Sequence, residues 1–415
     1  MTKNYLYFIH LFRCAIHNSA PDAELKPDIE AIKTLADRHN AWPLIFMVLK
    51  DVYKDSDPCA NWADYRNKFF FQCVKNMQHM YGLRKILAAF DKAGIPYAIL
   101  KGESLAELYP HPECRISSDI DLFVYPADEA RAVDVLLQNG VTVEPRIPHA
   151  HHCDCKSNAC GKIELHIKWQ GDLQNDILYN SKMEPSEAFI QTSTEALGKF
   201  CTIGVNDGLY FHFAHLMTHF IGGGFGIRLI SDFLLYVRKN KDNIDEAAFR
   251  SFAKELGYSK FIDTLFGIGV KYLGFNTSDF FDFAYDEEAV DMLMADCLSG
   301  GAFGHAEAGR FDTHDAYLKE RAGESYATYK TDYQRTNDKE KISFSLKNLK
   351  HRYHYLRKSI LLLPIAYVHH VTFILSRIAA KPFKKKRVIS SATPMHENAQ
   401  KRQVLFDKLE LKQKR

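Results

Sequence analysis

The sequence predicts an α+β fold, a small mixed sheet embedded between N-terminal and C-terminal helical segments. Three observations lead there. Apolar residues recur at a 3.6-residue period up to about residue 93 and again from Asn206 onward, the pattern of amphipathic helices. Between about 95 and 170 the texture changes to short apolar runs and alternation, the pattern of strands. At 415 residues, 46% hydrophobic and 25% charged, the chain is long enough for two to three compact units. The same composition excludes a collagen-like, disordered or low-complexity protein.

The elements follow in order. Phe70, Cys73, Val74, Met77 and Tyr81, then Leu83, Ile86, Leu87 and Phe90, form a helical stripe that reads as core. Gly94-Ile95-Pro96 must end that helix, because Pro96 has no amide hydrogen and restricts the residue before it. Tyr97–Leu100 reads as a strand, Glu103–Leu108 as a helix, Ile120–Val124 as a second strand and Ala127–Gln138 as a helix stopped by Gly140. Val141–Val143 and Ile163–Trp169 are two more strands, the last alternating Ile163, Leu165 and Ile167 with Glu164, His166 and Lys168. Helices return at Leu209–Phe220 and Ile227–Lys239. The expected units are a helical domain over 1–94, an α/β core over 95–205, a helical domain over 206–380 and a basic, largely disordered tail over 381–415, with a helix expected at Gln403–Leu411. The polar stretch 305–342 reads as exposed.

Charge narrows the partners. Lys381 to Arg415 holds eleven Lys or Arg against three Asp or Glu, a net +8 that leaves −5 on the rest of a chain whose total is +3. A neutral-to-acidic body argues against long nucleic acid, whose proteins carry a basic footprint. Nine cysteines, an odd number with several inside apolar runs, point to a reducing, cytoplasmic setting. The N-terminal apolar stretch is interrupted by His10 and Arg13 and lacks a small-residue cleavage site, so it reads as a buried helix and not a signal peptide. Ser359–Ala380 is apolar but holds Pro364, His369, His370 and Arg377, which disfavours a membrane span. A buried helix is the first reading there. A peripheral contact with anionic membrane through residues 359–387 is the second, helped by Lys381 and Lys384-Lys385-Lys386-Arg387.

The chemistry concentrates in residues 97–124. Asp119 and Asp121 stand two residues apart at the mouth of a strand and point to one face. Neighbouring carboxylates repel unless a divalent cation neutralises them, and Mg²⁺ (or Mn²⁺) takes such oxygen ligands. Glu164, on another strand, is a third candidate ligand. Two such ions can activate a hydroxyl and steady a leaving pyrophosphate. Lys101-Gly102 ends the preceding strand and opens a helix, where free amides favour anions. Arg115, Ser117 and Ser118 add donors suited to phosphate oxygens.

These residues resemble the nucleotidyltransferase superfamily typified by DNA polymerase β. More closely, they are similar to a bacterial group of uncharacterised nucleotidyltransferases with the order Leu-Lys-Gly, Tyr-Pro, Arg, Asp-x-Asp. Here those are Leu100-Lys101-Gly102, Tyr109-Pro110, Arg115 and Asp119-Ile120-Asp121, followed by Glu164-Leu165-His166, Trp169, and a helix with His212, His215, His219 and a later Asp232. The resemblance implies a nucleotidyltransferase core that moves a nucleoside monophosphate from a nucleoside triphosphate onto a hydroxyl. Asp119 and Asp121 would hold both metals, and Glu164 the one that activates the acceptor. Two departures stand out. Glu103 replaces the usual small residue after the glycine, so it either faces the phosphates or turns away, and the spacing from Gly102 to Asp119 is longer than in polymerases.

Other candidates carry two readings each. His149, His151, His152, Cys153, Cys155 and Cys160 crowd a predicted loop; free side chains fit better than a zinc site, whose ligands come in spaced pairs. His212, His215 and His219 share one helical face, either as a cationic or metal-binding stripe or as core histidines. Asp232 reads first as a structural ion pair. The glycine runs at 222–226 and 300–304 lack the Lys-Ser/Thr ending of a P-loop. The acceptor is left open among sugar, lipid, small molecule, RNA and protein. The rivals are a nucleotide-binding assembly module that has lost turnover and a peripheral membrane partner in surface-polymer synthesis.

Overall fold

The computed structural model describes residues 1–22, 26–54, 56–144, 146, 150–195, 197–304, 306–307, 310, 312–322, 346, 349, 353, 355–379 and 397–411. His149, residues 305, 308, 309, 311 and 323–342 of the polar stretch, and 381–396 and 412–415 of the basic tail lie outside them.

Four helices open the chain: α1 (Lys3–His17), α2 (Ile29–Arg38), α3 (Trp42–Val52) and α4 (Trp62–Ala93). The Thr2 hydroxyl accepts from the Tyr5 amide and caps α1. The long α4 stops where Gly94 takes the left-handed conformation at φ 59°, one residue before Ile95-Pro96. α4 carries two apolar seams one residue apart. Phe69, Cys73, Met80, Leu83, Leu87 and Phe90 are buried, whereas Phe70, Val74, Met77 and Tyr81 are exposed. The periodicity finds the helix correctly, yet one residue is 100° of rotation, so the stripe expected as core divides: Cys73, Leu83, Ile86, Leu87 and Phe90 are buried, while Phe70, Val74, Met77 and Tyr81 lie on the outer seam.

A seven-stranded mixed sheet follows, in the order β3-β4-β5-β2-β1-β7-β6. Its strands are β1 (Tyr97–Ile99), β2 (Ile120–Val124), β3 (Thr142–Val143), β4 (His152–Ser157), β5 (Gly161–His166), β6 (Ile190–Thr194) and β7 (Gly198–Thr202). β2 pairs in parallel with β5 and antiparallel with β1. The sheet departs from the sequence expectation in three places. The His/Cys segment is not a loop but β4, hairpinned to β5, with Cys153 and Cys155 buried and Asp154 exposed. The β6–β7 hairpin extends the sheet beyond residue 170, β7 lying parallel to β1. β5 ends at His166, so Lys168 leaves the alternation. The helix expected over 103–108 is a single turn, α5 (Glu103–Ala106), too short for the dipole argument made for it.

One face of the sheet, with Ile99, Ile120, Leu122, Ile163 and Leu165, packs against Leu83, Ile86 and Phe90 of α4 and Leu136 of α6 (Glu129–Gln138). Gly82 allows this: a Cβ there would stand 2.5 Å from the Ala159 carbonyl oxygen. The other face meets the larger helical core. After α7 (Asp172–Leu178) that core is built by α8 (Val205–Gly222), α9 (Ile227–Asn240), α10 (Glu246–Leu256), α11 (Ser259–Lys271) and α12 (Glu287–Gly300). α13 (Asp312–Ala322) falls in the stretch expected to be exposed, and buries Tyr317 and Leu318 in the same core.

The C-terminal part corrects two further expectations. The helix α14 (Leu363–Ala379) is not buried: Ile365, Val368, Val371 and Leu375 are exposed. Within the expected disordered tail, α15 (Glu397–Lys408) packs on α12 and α13. Its Arg402 is buried, donates to the Phe220 carbonyl and pairs with Asp296 at 2.5 Å, while Leu405 and Phe406 join the core. Among the described residues no helix is long and apolar enough to cross a membrane.

Candidate active site

Between the polar face of the sheet and the helices α8 and α9 lies a cavity of about 310 Å³. Strand pairing assembles its floor. Asp121 stands opposite Glu164 and Phe123 opposite His166 in the parallel β2–β5 register. Pleat alternation sends Ile120, Leu122, Ile163 and Leu165 down to α4 and leaves Asp121, Glu164 and His166 facing up. Their ligand atoms all lie within 4.8 Å of one another.

The charges interlock. His166 Nε2 lies 3.0 Å from Asp121 Oδ1 and 3.5 Å from Glu164 Oε2. Burial opposes a charged imidazole here, but the bonds to Asp121 and Glu164 win and push its pKa up to about 9. Lys101 Nζ is 3.3 Å from Asp121 Oδ1; burial works against its charge and the Asp121 carboxylate more than restores it. Asp121 is buried, which penalises its charge, yet Lys101 and His166 hold its pKa below the usual value. Glu164 behaves likewise: burial is outweighed by hydrogen bonds from His166 and Lys162. Asp121 Oδ2 is left with no hydrogen-bond partner among the described residues.

Asp119 lines the same cavity but is not in this tight set; its Oδ1 accepts from Ser118 Oγ at 2.9 Å. Ser117 Oγ donates to the Asp119 carbonyl at 3.0 Å, so both predicted serine donors are engaged locally. Gly102, at φ 76°, tolerates no side chain: a Cβ would meet Ser117 Oγ at 3.0 Å. Glu103 turns away. Its carboxyl is buried outside the cavity, and burial raises its pKa to about 7.

Arg115 does not stand free for phosphate. It forks onto Asp232, with Nε at 3.2 Å from Oδ1 and one terminal nitrogen at 2.7 Å from Oδ2, and Tyr109 donates to the same carboxylate at 2.7 Å. Asp232 thus serves in the ion pair expected of it. The other terminal nitrogen of Arg115 is buried without a partner among the described residues, on a side chain that lines the cavity. Lys168 is exposed and paired with Asp172, away from the cavity.

His212, His215 and His219 do face the cavity from α8. They are not a cationic stripe. Burial pulls His212 down to about 3, His215 far below its ordinary value and His219 to about 4, so all three are neutral at pH 7. His151 also lines the cavity and is pulled down to about 3, first by burial and then by His166. Among the described residues, the groups close enough to share a cation contain histidines and carboxylates and no cysteine. Sequence reasoning passed over Arg228. It lines the cavity from α9, donates to the Ile116 carbonyl and makes no ion pair among the described residues. Its signal was the four-residue spacing to Asp232, which puts both on one helical face.

The donor set fits a divalent cation: two carboxylates in one place, one of them with an orphaned oxygen, with the His166 ring and Asp119 beside them. A family model described as uncharacterised nucleotidyltransferase matches residues 26–274, which contain the whole sheet and both roofing helices. No curated protein matches the sequence. A solved structure of a tRNA-processing enzyme, apo form I, is similar at 12% identity and a TM-score of 0.25, covering 80% of this chain and 96% of its own. A likeness that distant bears on neither substrate nor mechanism.

Proposed function

Because this chain belongs to the uncharacterised nucleotidyltransferase family, we propose that it moves a nucleoside monophosphate from a nucleoside triphosphate to a hydroxyl group, with pyrophosphate released. The observation that carries the reading is the facing pair Asp121 and Glu164, with Asp121 Oδ2 unpartnered in a cavity that also holds Lys101, Arg115 and Arg228. In the step, the acceptor oxygen bonds to the α-phosphorus. The bond from that phosphorus to the bridging oxygen breaks, its electrons leave with pyrophosphate, and the hydroxyl proton is lost to solvent.

Asp121, Glu164 and Asp119 would hold Mg²⁺ or Mn²⁺, with His166 beside them; when bound, the cation offsets phosphate charge and acidifies a coordinated hydroxyl. Lys101, the free terminal nitrogen of Arg115 and Arg228 offer donors to phosphate oxygens. The neutral histidines of α8 add no charge to this set and offer hydrogen-bonding ring nitrogens along the roof.

A second reading, a nucleotide-binding module without turnover, is favoured by the cations already seated on the acids: His166 and Lys101 on Asp121, Lys162 on Glu164. One experiment separates the two. Incubation with each α-labelled NTP, Mg²⁺ or Mn²⁺, and a pool of sugar, lipid and protein acceptors should release pyrophosphate, and Asp121→Asn should lower the rate about a hundredfold or more. Calorimetric NTP binding without pyrophosphate release would establish the second reading.

A further inference from the structure

α14 stands apart from the body. It packs with the turn at Ile360–Leu362 and with Leu349, Tyr353 and Leu356 in a small cluster separate from the two large cores. Its apolar side chains point outward instead: Val368 is 62% exposed, Ile365, Val371 and Leu375 share its side of the helix, and Leu361 in the turn ahead is 85% exposed. Exposed Tyr367 adds an amphipathic ring to the same stretch. A contiguous apolar face of this kind on a folded protein marks an interaction surface.

Charge identifies what covers it. From Lys341 to His396 the sequence holds twelve Lys or Arg and no Asp or Glu. A second copy of the helix would bring the same unrelieved positive charge against itself, so self-pairing is disfavoured. An anionic bilayer satisfies both features at once, acyl chains taking the aliphatic face and headgroups the flanking cations. At about 1.5 Å per residue the 17-residue helix is about 25 Å long, shorter than the roughly 30 Å hydrocarbon core, which suits a helix lying in the surface and not one that spans it.

We propose that α14 is an in-plane anchor for anionic lipid bilayers. This surface is independent of the transfer chemistry. The test uses the full chain and vesicles of phosphatidylcholine with and without phosphatidylglycerol. The fraction that sediments should be at least about tenfold higher with phosphatidylglycerol and should fall at about 1 M salt. Val368→Asp should abolish that binding while leaving the melting temperature unchanged, since the side chain is exposed. A Leu375→Trp variant should shift its emission to the blue on anionic vesicles, a readout that does not depend on Val368→Asp. Equal binding to both vesicle types, binding retained by Val368→Asp, or no spectral shift would overturn the proposal. A protein-concentration-dependent dimer abolished by Val368→Asp, with no vesicle binding, would assign the face to a second copy.

Discussion

Glu103 is adjacent to Gly102 in the phosphate loop yet carries its carboxyl inward, with one oxygen unpartnered among the described residues. Its folded pKa of about 7 lies above the ordinary 4.5, so the ionised form is disfavoured in the fold. The sign follows: this group's contribution to stability falls as pH rises from about 4.5 through 7, by at most about 3 kcal/mol. Glu103→Gln should flatten that part of the melting-temperature curve and match or exceed the wild type at pH 8; an unchanged slope would contradict the burial argument. Asp232 provides a second case. Removing it leaves Arg115 buried and unpaired, so Asp232→Ala should lose about 3–5 kcal/mol in denaturant unfolding, and a combined Arg115→Met, Asp232→Leu variant should recover much of it. At this scale the sequence told unevenly. Asp121 and Glu164 were legible because strand alternation is a local rule. The partner of Arg115 was not, since it sits 117 residues away and only the folded chain brings it near.

Elements were legible where a period is clean and unreadable where it is shared. α4, β1, β2 and α6 follow from stripes and stops in the sequence, and the helical character of the chain before α4 from its apolar period. β4 was hidden because His and Cys fill its alternating positions, and β6 because Ile190–Thr194 is mostly exposed and polar. α4 shows the limit of periodicity: two seams run side by side, and only packing tells which is covered. Val74→Asp on the outer seam should therefore change unfolding free energy by less than about 0.5 kcal/mol, while Leu83→Ala on the inner one should lose about 2–5 kcal/mol. Similar losses at both positions would mean that the outer seam is covered as well.

At the level of the whole molecule, the sequence showed an α/β unit between helices but not the strand order, which depends on two parallel pairings, β2 with β5 and β1 with β7. Nor did it show that α15 returns to the body. Truncation after residue 396 should lower the melting temperature by several degrees, because it strips Arg402, Leu405 and Phe406 from their buried seats and leaves Asp296 with one guanidinium fewer. A tail that served only as a loose polycation would leave the melt unaltered.

That return has a topological consequence. α13 and α15 are both fastened to the same core, so packing as well as the covalent chain holds the two sides of the sequence together. A single cut introduced between Ala322 and Glu397 should yield two fragments on a denaturing gel that still travel together through a sizing column.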